Sequence, residues 1–250
     1  MSGTLSFVNL LYLIRHGQAG TRDEYDRLSS LGQAQARALG VWLAREGLRF
    51  DAVWSGGLRR QQETALCVLG AMAEAGAPQP EPRPKLRIDP RWNEFDLDAV
   101  YASVAPRMAA DDPVFRDHFQ ALRQAIASGD AKIHRKWTPS DTAVVQAWMA
   151  GRYGSEGESW AEFVARVHSA AHESLAVARS GRRVAVFTSA TPVAVTMGLA
   201  LPLHAGDMME LAGAALNSNI TILTVNEDRP RLFAFNCTAH LESPELRTFR

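Results

Sequence analysis

The sequence predicts an α/β fold with a mostly parallel sheet, on three observations. A strand apolar enough to be buried on both faces opens the chain, further short apolar strands follow it, and amphipathic helices with their own capping residues alternate with them. With 250 residues, of which 46% are hydrophobic, the chain can bury a sizeable core, and we read residues 1–250 as a single domain.

The first strand is Phe7 to Ile14, apolar but for Asn9, and it ends abruptly in Arg15-His16-Gly17-Gln18. In open α/β sheets ligands bind outside the carboxyl ends of the strands, so Arg15 and His16 stand where chemistry is usually placed. Gly17 permits a tight turn there and leaves room for a ligand beside the imidazole. A histidine is a nucleophile only while one ring nitrogen keeps its lone pair, and a neighbouring guanidinium favours that neutral state by opposing a second positive charge. The same planar fork suits the oxygens of a phosphate. Taken alone, the tripeptide reads equally well as a solvated strand end.

A polar loop, Gly20 to Arg27, leads to a helix. Ser30 with Gln33 is a capping-box pattern, and Ala38, Leu39, Trp42 and Leu43 keep helical spacing up to Gly47. Phe50 to Trp54 predicts a second strand. Ser55 or a following glycine then caps a helix with the apolar face Leu58, Gln62, Ala65, Leu66, Leu69 and Met72, ended by Gly76. Arg59 and Arg60 fall in its first turn, where free N–H groups and the helix dipole attract an anion. Two arginines opening an exposed helix face is the commoner meaning of such a pair.

Ala77 to Pro84 reads as a linker and Leu86 to Ile88 as a short strand. Residues 96–157 change composition and predict a helical insertion, with runs such as Val114 to Ile126 and Thr142 to Ala150 between Gly and Pro breaks. Ser159 with Glu162 opens the next helix, whose stripe is Trp160, Phe163, Val164, Val167, Ala171 and Leu175. Val184 to Phe187 is a buried strand, and Thr191-Pro192 reads as cap and first helical residue. Asn219 to Val225 and Arg231 to Asn236 are the last two strands, around the turn Asn226-Glu227-Asp228.

A net charge of zero argues against a dedicated nucleic-acid or membrane-surface protein. Cys67 and Cys237 make no metal or redox spacing, which suits a reducing cytoplasm. No basic region precedes Phe7, so no signal peptide is expected. The uncharged run Val184 to Leu203 carries too many Thr, Ser, Pro and Gly residues for a membrane span and fits a strand, a turn and a helix. His168 and His172 have metal-compatible spacing but lack a third ligand. His118, His134 and His204 read as surface residues, and His240 as a packing residue that could line a pocket. The basic run Lys132 to Lys136 next to Trp137 reads as a solvated face, or, if the insertion folds over a pocket, as charges that select an acidic substrate.

Together these pieces resemble the histidine phosphatase superfamily, the phosphoglycerate-mutase-like branch 1 fold. Arg15-His16-Gly17 matches its signature, Leu28 to Ala36 its first-helix pattern, and Arg60 to Ala65 its second. Glu94 is similar in position to the acidic residue, and Gly157-Glu158-Ser159 to the motif after the insertion. The resemblance implies a three-layer α/β/α sandwich with the insertion as a cap. It implies a phosphatase acting on small phosphomonoesters through a phosphohistidine on His16. Glu94 then protonates the leaving group, while Arg15, Arg60, Gln18 and Ser189 bind phosphate. It implies no cofactor and no metal. The partner is a small phosphorylated molecule, with neither nucleic acid nor membrane, and a homodimer stays open.

One departure stands out. Where the family has a strand followed by Ser-His-Gly, this chain reads Phe187-Thr188-Ser189-Ala190-Thr191, so Ser189 takes the place of a second histidine. A hydroxyl donates one hydrogen bond but carries no charge. Losing a strong preorganised donor costs roughly 10²–10³ in rate, so reduced activity is expected. The alternative is a non-catalytic phosphate-ligand binding or regulatory protein of the same fold. A mutase is less expected, because the loop after Gln18 lacks the Asn and Trp pattern of the family's phosphoglycerate mutases.

Overall fold

The structure, a computed structural model, describes residues 9–20, 26–78, 80–128, 137–154, 156–225 and 229–249. Phe7, most of the loop after Gly20, the run Lys132 to Lys136 with His134, and the turn at Asn226 lie outside them. The chain divides into two compact units. One comprises Met1–Gly20, Glu24–Glu94 and Arg166–Arg250, the other Thr21–Asp23 and Phe95–Ala165.

The first unit is built on six strands, β1 (Leu10–Arg15), β2 (Ala52–Ser55), β3 (Leu86–Ile88), β4 (Arg183–Thr188), β5 (Ile220–Val225) and β6 (Pro230–Cys237). Their order is β3-β2-β4-β1-β5-β6. β1 through β4 are mutually parallel, whereas β5 runs antiparallel to β1 and β6 to β5. The sheet is therefore mixed and mostly parallel, as expected.

Why β1 occupies the middle follows from its side chains. Leu10, Tyr12 and Ile14 pack with Val53, Ala185 and Phe187 against the helices α1 (Ser30–Arg45) and α2 (Arg59–Glu74), through Ala36, Leu39, Leu43, Ala65, Val68 and Met72. Leu11 and Leu13, pointing the other way, are fully buried too. Burying each such side chain contributes about 1.5–3 kcal/mol, so a strand buried on both faces is among the strongest anchors of the fold. The other helices of this unit are α6 (Trp160–Arg179), through which the division between the units passes, α7 (Ala190–Met197) and α8 (Ala205–Ala214). α8 gave no signal in the sequence reading.

Several helix starts differ from expectation. α1 is capped by Ser29 and not by Ser30, because Ser29 is the residue in extended backbone, and its Oγ accepts the Gly32 N–H at 3.0 Å. α2 begins after Leu58, with no side-chain cap from Ser55. Its buried face is Arg60, Gln61, Thr64, Ala65, Val68, Ala71 and Met72, while Leu66 is exposed. The apolar pattern misjudged this face because three of its inward residues are polar. α7 starts after Ser189, which holds the N-cap position without a side-chain bond to the helix, so Thr191 and Pro192 lie inside its first turn, where a missing N–H breaks no helix bond. The capping box of Ser159 and Glu162 forms as expected, with Ser159 N–H donating to Glu162 Oε2 at 2.8 Å. Gly47 and Gly76 follow α1 and α2 with φ of +63° and +74°, values that side-chain-bearing residues resist.

The second unit holds α3 (Leu97–Asp111), α4 (Pro113–Ala127) and α5 (Pro139–Met149). Pro106 sits inside α3 where a break was expected. Burial of Val100, Val104, Ala105 and Met108 on that helix offsets the roughly 3 kcal/mol that an internal proline costs. Phe95, Trp148, Trp160 and Phe163 form an aromatic cluster, with Phe95 and Trp148 ring centroids 4.9 Å apart. Trp148 Nε1 donates to the Glu158 carbonyl at 2.9 Å. Among the described residues no helix is long and apolar enough to cross a membrane.

Candidate active site

The carboxyl end of β1 is held from both sides. His16 N–H donates to the Thr188 carbonyl at 2.9 Å, which continues the pairing with β4. Its own carbonyl accepts from Ser218 N–H at 3.1 Å and Asn217 Nδ2 at 3.4 Å. Gly17 N–H donates to Thr64 Oγ1 at 3.1 Å. The need for glycine at 17 is close approach, not a special φ: a Cβ there would meet the Gly32 carbonyl oxygen at 2.5 Å, and one on Gly32 would meet the Gln18 carbonyl oxygen at 2.1 Å.

The His16 imidazole is buried, with 3% of the residue exposed. Nδ1 lies 2.7 Å from the Gly17 carbonyl and Nε2 3.3 Å from Arg60 Nε. A carbonyl only accepts and a guanidinium only donates, so Nδ1 carries the proton and Nε2 presents its lone pair. Burial, then the charges of Arg60 and Arg15, hold the ring well below the usual histidine range. Near neutral pH this is an uncharged imidazole with a lone pair beside a cation.

Of the two arginines that open α2, Arg60 points inward and is buried, while Arg59 turns out to pair with Glu63 at 2.7 Å. Consecutive residues on a helix point about 100° apart, which is why one reaches His16 and the other does not. Arg60 Nη1 also meets Asp26 Oδ1 at 3.0 Å, and Asp26 Oδ2 accepts the Arg59 N–H at 3.1 Å. Arg15 lends its charge to the same imidazole, but its Nη1 donates to the Ala215 carbonyl and its Nη2 to the Phe249 carbonyl at 2.7 Å.

Ser189 stands at the end of β4, 1% exposed. Its Oγ accepts from Gln61 Nε2 at 2.9 Å and makes no bond to its own helix. Glu94 is half-buried and its Oε2 accepts the Thr191 N–H at 3.2 Å, in the first turn of α7. That bond sets the carboxyl group at the start of α7, where the first N–H groups have no partner within the helix. Gln18 turns its Oε1 to Ser29 Oγ at 2.9 Å, so its side chain braces the start of α1.

The sequence reading missed several groups here. Asp26 and Gln61 carry no local signal, since their partners are remote in sequence. Asn217-Ser218-Asn219, a buried polar run before β5 with Ser218 at φ 56°, was legible as a possible special turn but was passed over. The C-terminal segment also takes part: buried Gln35 accepts the Gln18 N–H at 2.7 Å and donates to the Leu246 carbonyl at 2.7 Å and Thr248 Oγ1 at 2.9 Å. His240 is buried behind Ser218, whose Oγ lies 2.9 Å from its Nε2, and burial pushes its pKa down to about 4. His168 Nε2 sits 3.2 Å from the Val195 carbonyl, and no metal-holding group of His, Cys, Asp or Glu exists among the described residues.

Comparison with known proteins gives the family and the fold. The chain matches the family model described as histidine phosphatase superfamily (branch 1) over residues 11–132 and 129–238. A 2,3-bisphosphoglycerate-dependent phosphoglycerate mutase from Methylorubrum populi is 40% identical over 76 residues, and one from Xanthobacter autotrophicus 36% over 78. The first match covers 27% of this chain, which thus spans about a third of the length of the curated relatives, 35% in that case. Among solved structures, a mycobacterial glucosyl-3-phosphoglycerate phosphatase superposes with a TM-score of 0.58 at 19% identity, covering 92% of this chain and 99% of its own. The alpha-ribazole phosphatase from Shigella flexneri gives 0.56 at 20%, covering 92% and 97%. A phosphoserine phosphatase mutant from Entamoeba histolytica, in complex with phosphoserine, gives 0.55 at 17%, covering 93% and 98%. At these identities the structural likeness is one of fold.

Proposed function

Because the chain belongs to the histidine phosphatase superfamily, we propose that it hydrolyses small phosphomonoesters through a phosphohistidine on His16. The observation that carries the reading is the pair of contacts on the imidazole: Nδ1 on the Gly17 carbonyl and Nε2 under Arg60 Nε. A nucleophilic lone pair and a cation thus converge on one point, where a phosphoryl group would arrive.

Substrate phosphate displaces Asp26 from Arg60 and takes its charge, with Arg15 adding to the field. Arg60 Nε–H turns from His16 Nε2 to a phosphate oxygen, which frees the lone pair; Nε2 then attacks phosphorus in line, the N–P bond forms and the bond to the ester oxygen breaks. Phosphate charge beside Glu94 raises its proton affinity, so Glu94 binds a proton and passes it to the departing oxygen. The resulting carboxylate takes a proton from water, whose oxygen attacks phosphorus. The N–P bond breaks, and neutral His16 and protonated Glu94 are restored. Ser189 donates one hydrogen bond to a phosphoryl oxygen and no charge, which supports a rate below that of a two-histidine site.

The neutral hydroxyl of Ser189 and the Asp26 already on Arg60 favour a second reading, a phosphate-ligand binding protein. Release of phosphate from an aryl phosphate, followed with wild type and His16→Ala across pH, separates the two. Turnover in wild type that vanishes in His16→Ala, with an acid-labile phosphoryl group trapped on the wild-type protein, supports the hydrolase. Phosphate binding without turnover supports the second reading.

A further inference from the structure

Ser189 and Gln61 are joined more tightly than two polar neighbours need be. Gln61 is fully buried, and all three of its polar positions have partners. Oε1 faces the Leu58 N–H at 3.3 Å, while Nε2 donates to the Trp92 carbonyl at 3.2 Å and to Ser189 Oγ at 2.9 Å. The Trp92 carbonyl fixes which end of the amide is which, because a flipped Gln61 would set oxygen against oxygen. The cradle is specific as well: a Cβ on Gly56 would lie 2.0 Å from Gln61 Oε1, so only glycine leaves the amide its place.

The consequence falls on the serine proton. Ser189 Oγ already accepts from Gln61 and does not cap α7, so its hydrogen is left to donate away from Gln61. Ser189 follows Thr188, whose carbonyl takes the His16 N–H, so Ser189 and His16 leave two adjacent strand ends in register. A hydroxyl that accepts one bond donates a stronger one. The first turn of α2 thus sends two consecutive side chains to two strand ends, Arg60 to His16 and Gln61 to Ser189.

We infer that Gln61 is a positioning residue that makes Ser189 a one-way hydrogen-bond donor to a phosphoryl oxygen at His16. The inference rests on the phosphate site proposed above, whether or not chemistry follows there. It reaches beyond the substitution at Ser189, since it makes the neutral hydroxyl one half of a two-residue unit.

A double-mutant cycle on the full chain tests it, reading inorganic phosphate affinity by calorimetry and aryl phosphate turnover. Gln61→Met keeps the volume and leaves the Trp92 carbonyl its second bond, from Thr188 Oγ1 at 2.6 Å. Ser189→Ala is expected to weaken phosphate binding roughly tenfold to a hundredfold, the usual range for a bond to a charged group. Gln61→Met should reproduce most of that loss, and adding it to Ser189→Ala should change nothing further beyond about twofold. Gln61→Glu supplies a readout that a packing role would not move: binding that recovers on acidification, as the new carboxyl gains a proton to donate to Ser189, in excess of any recovery in wild type. It also serves if Gln61→Met does not fold.

Independent, additive losses in the cycle would overturn the inference, as would Gln61→Met binding phosphate within twofold of wild type. A wild type that binds phosphate without turning over would remove the hydrolase reading and leave the cycle readable. A wild type that binds no phosphate would overturn both.

Discussion

The ends of β1 and β4 lie side by side in register and reach opposite solutions. At β1 the reactive group is a buried imidazole kept uncharged by desolvation and then by two guanidiniums. At β4 it is a hydroxyl whose direction is set by a neutral amide. One end works by charge, which acts over several ångströms and tolerates small displacements. The other works by hydrogen-bond direction, which fails within a few tenths of an ångström. Substitutions should therefore grade at the first end with distance from His16, and at the second fall off all at once.

The harshest way to break the comparison is His16→Ala, which should reduce aryl phosphate turnover to that of a protein-free blank. Arg60→Met comes next, with kcat down about 10²–10³-fold for loss of a preorganised donor. It also has a signed signature. Arg60 lowers the His16 pKa, so its removal raises that pKa, and the acid limb of kcat/KM against pH should move to higher pH.

His240 sharpens the picture from behind, since it backs Ser218, which holds the His16 carbonyl. Its folded pKa of about 4 lies below the usual histidine value of about 6.5. Between those values the unfolded chain binds the extra proton, so stability is full above about pH 6.5 and is lost as pH falls toward 4, by about 3 kcal/mol in total. Urea denaturation at pH 7 and pH 4.5 should show that slope in wild type and a shallower one in His240→Gln.

Gly17→Ala should cost roughly 1–3 kcal/mol in the same assay, as the added methyl pushes on the Gly32 backbone. Arg59→Ala gives the smallest effect. Its exposed pair with Glu63 is worth about 0.3–0.5 kcal/mol, and turnover should stay within twofold of wild type. Set beside Arg60→Met, it asks whether position on the helix, and not charge near it, makes the site.

The sequence made the sheet legible where burial is two-sided. β1 and β4 declared themselves by unbroken apolar runs, and β3 by a short run between turn residues. α2 was located correctly but turned wrongly, because periodicity counts apolar residues and the inward face there carries Arg60, Gln61 and Thr64. α3 was hidden by Pro106, whose local cost is outweighed by tertiary burial that no local rule sees. For the site, Arg15 and His16 could be named in advance because a strand end has a local signature, whereas the choice of Arg60 over Arg59 came from the family resemblance and not from the helix start itself. Gln61 and Asp26 could not: what each does depends on a partner that only the folded sheet brings near, Ser189 for one and Arg60 for the other.

The hold of Arg15 on the Phe249 carbonyl has a practical side. The backbone at that residue is tied to a guanidinium that also bears on His16. Sequence changes around Phe249 are therefore not neutral for this protein: a substitution that moves that carbonyl would loosen the clamp on Arg15 and shift the measured phosphate affinity.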